Sequence, residues 1–174
     1  LARVPETLEN LETISHMTDR IGAIVAEIKS FSRKSPTEKQ AVSILNTIDH
    51  ACMLVEPQRH QLHALVEMPP FDETLQVWAD SVRFEQVVVN LLCNSLDSDT
   101  GPGISEEVRS RLFESFVTTK PSGQGLGLGL AISHMIITEL GGKLTARNLD
   151  AGGAEFTIVL EEAVDGELQQ TGNE

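Results

Sequence analysis

From Gly125 to Leu130 the chain alternates glycine and leucine without a break, then runs mostly apolar until Gly141-Gly142. This stretch constrains the fold more than any other. Three glycines in six residues weaken a helix or a strand. Three leucines at the same spacing do not suit a solvated linker. Both demands are met by a loop that packs its leucines inward and turns its bare backbone to a ligand. Leu126 to Leu140 then reads as a helix stopped by Gly141-Gly142. Before it lies Thr118-Thr119-Lys120-Pro121-Ser122-Gly123-Gln124, a hydroxyl-rich loop with one lysine. Free N–H groups at a helix start, bared by glycine, form an anion site. Lys120 adds a point charge suited to a terminal phosphate. The spacing matches neither GxGxxG nor GxxxxGK[ST], and the chain has no DFG or HRD triplet.

Two more segments carry chemistry. Ser81 to Leu96 has Phe84, Val87, Val88, Leu91 and Leu92 at helical spacing, with Asp80 as its N-cap. Asn90 and Asn94 stand four apart on one face of that helix. Two carboxamides on an apolar face are costly without partners. Their oxygens suit Mg²⁺ already surrounded by phosphate, or they cap neighbouring loops. After the helix comes Asp99-Thr100-Gly101-Pro102-Gly103-Ile104. Its glycines permit close backbone approach, and Asp99 can accept a hydrogen bond from an exocyclic amine. An ordinary Asp-Gly turn is the other reading.

The rest frames these segments. Pro5 to Ser32 reads as one long helix, with Leu11, Ile14, Thr18, Ile21, Val25 and Ile28 stepping by three and four. Such a face needs a partner helix. Residues 32–40 are polar and read as a linker. Ala41 to Leu45, Ala64 to Met68 and Leu75 to Trp78 are strand candidates. Ile48 to Leu62 is a helix expected to break or kink near Pro57. Glu106 to Phe113 is a short helix. Lys143 to Arg147 and Ala154 to Leu160 form a hairpin around Ala151-Gly152-Gly153. The net charge is −13, and seven acids follow Leu149 with no Lys or Arg. That balance argues against nucleic acid and anionic membrane as partners. No apolar run approaches the roughly 18 residues of a membrane span. Cys52 and Cys93 read as reduced core thiols of a soluble intracellular protein.

The order Asn-x-x-x-Asn, then DxGxGI, then FxTTK followed by GxGLGL resembles the ATP-binding domain of sensor histidine kinases. Their wider group holds the gyrase, Hsp90 and MutL ATPases. Arg83 to Asn90 looks like the N box, and Phe113 to Lys120 like the phenylalanine box with a short lid. Gly141-Gly142-Lys143-Leu144 and Gly152 to Phe156 look like the closing strands. The TTK lid and the helix from Leu8 to Phe31 are similar to the C4-dicarboxylate and nitrogen-regulation sensors.

The resemblance implies an α+β two-layer sandwich, a mixed sheet packed on helices in a Bergerat-type ATP-binding fold, preceded by a bundle-forming helix. It implies a dimerisation helix over 1–35, a catalytic domain over 36–163 and an acidic tail over 164–174. ATP and Mg²⁺ are the implied cofactors. Asn94 is the main Mg²⁺ ligand and Asn90 its helper. Asp99 reads adenine, and Gly101, Gly103 and Ile104 line the base. Thr118, Thr119 and Lys120 form the lid. Gly125, Leu126, Gly127, Leu128 and Gly129 close over the phosphates, and Lys120 joins the two asparagines in catalysis. The implied partners are a response-regulator receiver domain and a second copy through helix 8–31. The implied location is cytoplasmic, in a bacterial inner-membrane sensor.

Two departures stand out. No histidine has the acceptor context: His16 precedes Met17-Thr18, and His50, His60, His63 and His134 read as surface or packing residues. The acceptor helix is therefore expected upstream. Second, the N-box helix runs straight into the glycine turn at Ser98-Asp99, where the family has a loop and strands, so a segment is expected to be missing there. In the hydrolysing members a glutamate stands four before the metal asparagine. Asn90 stands there and cannot act as a base, so slow ATP hydrolysis is expected. The other readings are an ATP-hydrolysing switch and a catalytically incomplete binding module.

Overall fold

The computed structural model describes Thr18, Gly22 and residues 38–97, 103–120 and 126–164. Thr18 and Gly22 are helical. The rest of the predicted helix 5–32, the Ser98-Asp99 junction and residues 165–174 lie outside the described residues.

The chain opens with β1 (Gln40–Ser43) and passes directly into α1 (Ile44–Gln61). Ser43 caps α1 by accepting from the Asn46 N–H. Thr47, Ala51 and Val55, four apart, form its buried stripe. Of the break or kink expected near Pro57, the break is absent, and α1 runs on through it. Pro57 and Met53, whose carbonyl loses its intrahelical partner, are both exposed, so water can satisfy that carbonyl. Residues 64–68 form no strand. Leu65 is 85% exposed, and Pro69-Pro70 removes two ladder donors.

β2 (Gln76–Ala79) pairs antiparallel with β1, Val42 opposite Val77. Asp80 then caps α2 (Ser81–Asp97), accepting from the Arg83 N–H at 3.0 Å, as expected. The predicted helix 106–113 shortens to α3 (Glu106–Arg109), followed by turns. The predicted helix 126–140 starts late, as α4 (Gly129–Glu139). Gly141 ends it at φ +84, and the Gly142 N–H returns to the Ile137 carbonyl at 2.8 Å.

β3 (Lys143–Asn148) and β4 (Ala154–Val159) form the expected hairpin. Past β4 the chain crosses to the free side of β2. There the Trp78 N–H donates to Glu161, and the Ala163 N–H donates to Gln76. β2 thus lies between β1 and residues 161–163, and the two ladders are stitched together by one chain segment. All strand pairings among the described residues are antiparallel.

α2 packs against α1 and α4, and α4 also against β3. The shared core joins Val42, Val77, Ala79, Phe84 and Val87 to Leu128, Ile132, Ile136, Ile137, Leu140 and Leu144. α2 and α4 run antiparallel, because Arg83 at the start of α2 pairs with Glu139 at the end of α4. That pair is partly exposed and contributes at most about 1 kcal/mol. The core contributes far more. Ile137 is wholly buried in the last turn of α4. Ile137→Ala is expected to cost about 2–5 kcal/mol, read as a lower midpoint in denaturant unfolding.

Candidate functional site: a cleft between two antiparallel helices and a hairpin

A cleft of about 660 Å³ opens where the C-terminal half of α2 faces the start of α4. Antiparallel packing makes this juxtaposition. Arg83 meets Glu139 at one end, so Asn90, two turns along α2, reaches Ser133, and Asn94 follows on the cleft wall. Thr118, Thr119 and Lys120 form a second wall, with Leu126, Gly127, Gly129 and Leu130. Gly103 and Ile104 close a third side, facing Gly153, Ala154 and Phe156 of the hairpin.

Of the residues singled out from sequence, Asn90, Asn94, Gly103, Ile104, Thr118, Thr119, Lys120, Leu126, Gly127 and Gly129 all line this cleft. Leu128 does not. It is 2% exposed and belongs to the core. The Gly-Leu alternation therefore divides its leucines: Leu128 is a core anchor, while Leu126 and Leu130 reach the cleft. Asp99, Gly101 and Gly125 lie outside the described residues.

The two asparagines differ. The Asn90 Nδ2 donates to the Ser133 hydroxyl at 2.8 Å. The Asn90 Oδ1 faces Gly129 so closely that a Cβ there would sit 2.4 Å from it. The Asn94 Nδ2 is buried and has no hydrogen-bond partner, alone among the buried side-chain nitrogens and oxygens of the described residues. A buried orphan amide costs roughly 1–3 kcal/mol, so a carboxamide held this way fits a site that awaits a ligand. α4 has no side-chain N-cap, and its first residues, Gly129 and Leu130, line the cleft. Among the described residues, no group of three His, Cys, Asp or Glu could hold a metal. A metal here would rest on carboxamide and ligand oxygens.

Gly127 takes φ +66, and its carbonyl accepts from the Phe116 N–H at 2.9 Å. This contact is the neck of the loop bearing Lys120. Within that loop the Lys120 N–H donates to the Thr118 hydroxyl at 3.2 Å.

Sequence reading missed Ser133, which is 1% exposed and holds Asn90. A hydroxyl on the apolar face of α4 was the available signal. It also missed Asn148, whose carboxamide brackets Ile104: the Ile104 N–H donates to Oδ1 at 2.7 Å, and Nδ2 donates to the Ile104 carbonyl at 2.8 Å. Beside it, hydrogen bonding from Arg147 holds the Glu155 carboxyl below the usual carboxylate range. The described histidines, His50, His60, His63 and His134, make packing and surface contacts, and His16 lies outside the described residues. His134 stacks on Phe113 with centroids 4.8 Å apart, and His50 pairs with Glu85 at 3.4 Å. Cys52 and Cys93 form no disulfide and are half-buried, and Cys93 lines the cleft. No helix among the described residues is long and apolar enough to cross a membrane.

Residues 97–164 match the family described as histidine kinase-, DNA gyrase B-, and HSP90-like ATPase. The C4-dicarboxylate transport sensor protein DctB of Pseudomonas aeruginosa is 31% identical over 190 residues, covering 94% of this chain and 31% of that protein. The sensor protein FixL of Bradyrhizobium diazoefficiens is 30% identical over 189 residues, covering 91% of this chain and 36% of that protein. The solved catalytic domain of histidine kinase ThkA superposes with a TM-score of 0.62 at 28% identity, covering 71% of this chain and 96% of that one. ThkA in complex with the response regulator protein TrrA matches with a TM-score of 0.70 at 26% identity, covering 90% of this chain and 52% of that one. Residues 97–164 thus match an ATPase-type family, and the solved structures share the fold. The sequence relatives are sensor proteins and the solved neighbours are histidine kinases, and this chain is similar to both. The chain spans about a third of the length of the curated relatives it matches.

Proposed function

We propose that this chain is the catalytic core of a sensor histidine kinase. It binds ATP in the cleft between α2 and α4, and the γ-phosphate passes to a histidine on an upstream helix, then to an aspartate of a response-regulator receiver domain. The observation that carries this reading is Asn94: a buried carboxamide with an unpartnered nitrogen, one turn beyond Asn90 on the cleft wall.

The residues have separate tasks. Asn94, with Asn90 beside it, would hold Mg²⁺, which supplies charge neutralisation on the phosphates. Ser133 fixes the Asn90 carboxamide, so its oxygen faces the cleft at the α4 start. The uncapped N-terminus of α4 offers N–H groups to phosphate. Lys120 and Thr118–Thr119 cover it from the lid. Catalysis then rests on positioning and charge. Asn90 cannot take a proton from water, which disfavours a hydrolysing switch. Asp99, Gly101 and Gly125 are assigned to the same site by their motifs. Helix 8–31 pairs with a second copy in a four-helix bundle. We divide the chain at 1–35, 36–163 and 164–174, in the cytoplasmic part of a membrane sensor.

A specific observation favours a second reading, an incomplete domain that binds a regulator without transferring phosphate. The alignment to DctB runs over 190 residues, more than the whole 174-residue chain, so that relative has residues that this chain lacks. The family match begins at residue 97, where α2 ends. Both agree with a segment missing at Ser98-Asp99.

Calorimetric titration with ATP, with and without Mg²⁺, separates the readings. The kinase core is expected to bind in a Mg²⁺-dependent way with little steady-state hydrolysis. Absent binding would favour the incomplete module, and rapid turnover the switch.

A further inference from the structure

Asn148 stands at the end of β3, 44 residues from its partner Ile104. It is the one described side chain that bonds both backbone groups of a residue lining the base end of the cleft. The bracket is tight. Gly103 sits at φ +93, and a Cβ there would lie 2.6 Å from the Asn148 Oδ1 and 2.9 Å from the Gly153 carbonyl. The loop therefore lies flat on the hairpin turn, with only glycine admitted. The turn has its own closure, the Leu149 N–H donating to the Gly153 carbonyl at 3.1 Å. Hairpin and loop thus meet through Asn148, and both contribute wall to the same cleft.

We propose that Asn148 is a positioning residue for the bound nucleotide: its carboxamide holds the Gly103–Ile104 backbone against the hairpin and so sets the wall on which the base rests. This rests on the nucleotide reading above. An asparagine suits the task because one planar group both accepts from an N–H and donates to a C=O of a single residue. The phosphate end lies on other elements, α4 and the Lys120 loop, to which Asn148 makes no hydrogen bond among the described residues. The clamp therefore acts on the base and leaves phosphate binding alone.

The test uses the full chain titrated with ATP and, separately, with inorganic triphosphate, both with Mg²⁺. Asn148→Ala is expected to weaken ATP roughly fivefold, as fits the loss of two exposed hydrogen bonds, and to leave triphosphate unchanged. Asn148→Asp keeps the acceptor but sets a carboxylate against the Ile104 carbonyl, and is expected to weaken ATP in the same selective way. Arg147→Ala, which breaks the neighbouring pair with Glu155 but touches no loop residue, is expected to bind both ligands normally. Equal weakening of ATP and triphosphate, or no weakening of ATP, overturns the clamp while wild-type binding upholds the nucleotide reading. A wild-type chain that binds no ATP overturns both.

Discussion

Asn94→Ala is expected to remove Mg²⁺-dependent ATP binding, by on the order of 100-fold, while leaving the fold intact. The two halves of this expectation have one cause. The Asn94 Nδ2 is buried without a partner. A structural asparagine would have its hydrogen bonds inside the protein, and its removal would lower stability. Here the folded state already carries an unmade bond, so truncation to alanine relieves a desolvation cost and the melting temperature holds or rises. The lost oxygen is felt only when metal and phosphate are present. Titration with and without Mg²⁺, beside a thermal melt, reads both effects. Retained Mg²⁺-dependence, or a marked fall in melting temperature with binding unchanged, would show Asn94 to be a packing residue.

The second large effect belongs to Gly127. An alanine Cβ there would lie 2.4 Å from the Val117 carbonyl oxygen and 2.8 Å from the Phe116 carbonyl carbon. These are backbone atoms at the neck of the lid loop and cannot swing aside. The φ of +66 adds strain of about 1–2 kcal/mol for any L side chain. Gly127→Ala should lower the melting temperature by roughly 4–8 °C for a total cost near 2 kcal/mol. ATP affinity should fall with it, because residues 117–120 form one wall of the cleft. Gly152 supplies the comparison. It too has positive φ, at +92, but a Cβ there meets nothing within 4 Å. Gly152→Ala carries strain alone and should leave ATP binding unchanged. Equal effects of the two substitutions on affinity would mean that the Gly127 contact is irrelevant to the cleft.

Local chemistry made much of this molecule legible. The helical spacing of Phe84, Val87 and Leu91 predicts α2, and Asp80 caps it where the sequence puts the cap. Gly141-Gly142 ends α4, and the hairpin falls around Gly152-Gly153. The errors arose where context outweighed propensity. Residues 64–68 have the composition of a strand, yet no neighbouring strand offers them a ladder. Pro57 has the chemistry of a helix breaker, yet it stands on an exposed helical turn where water can replace the missing bond. Leu128 shares its motif with four cleft-lining residues, Leu126, Gly127, Gly129 and Leu130, yet its side chain completes the core.

The chemistry was thus written in one dimension: two carboxamides one helical turn apart, a turn that needs glycine, a lysine in a hydroxyl-rich loop, and glycines alternating with leucines. Such features depend on residues within a few positions of one another, so spacing alone determines them. Their assembly is a tertiary matter. Burial of the apolar faces of α2 and α4 sets the helices antiparallel, which brings Asn90 to Ser133 across 43 residues. Docking of the Gly103 loop brings Ile104 to Asn148 across 44. Contacts at that separation follow from which apolar surfaces exclude water together, and no periodicity along the chain encodes them.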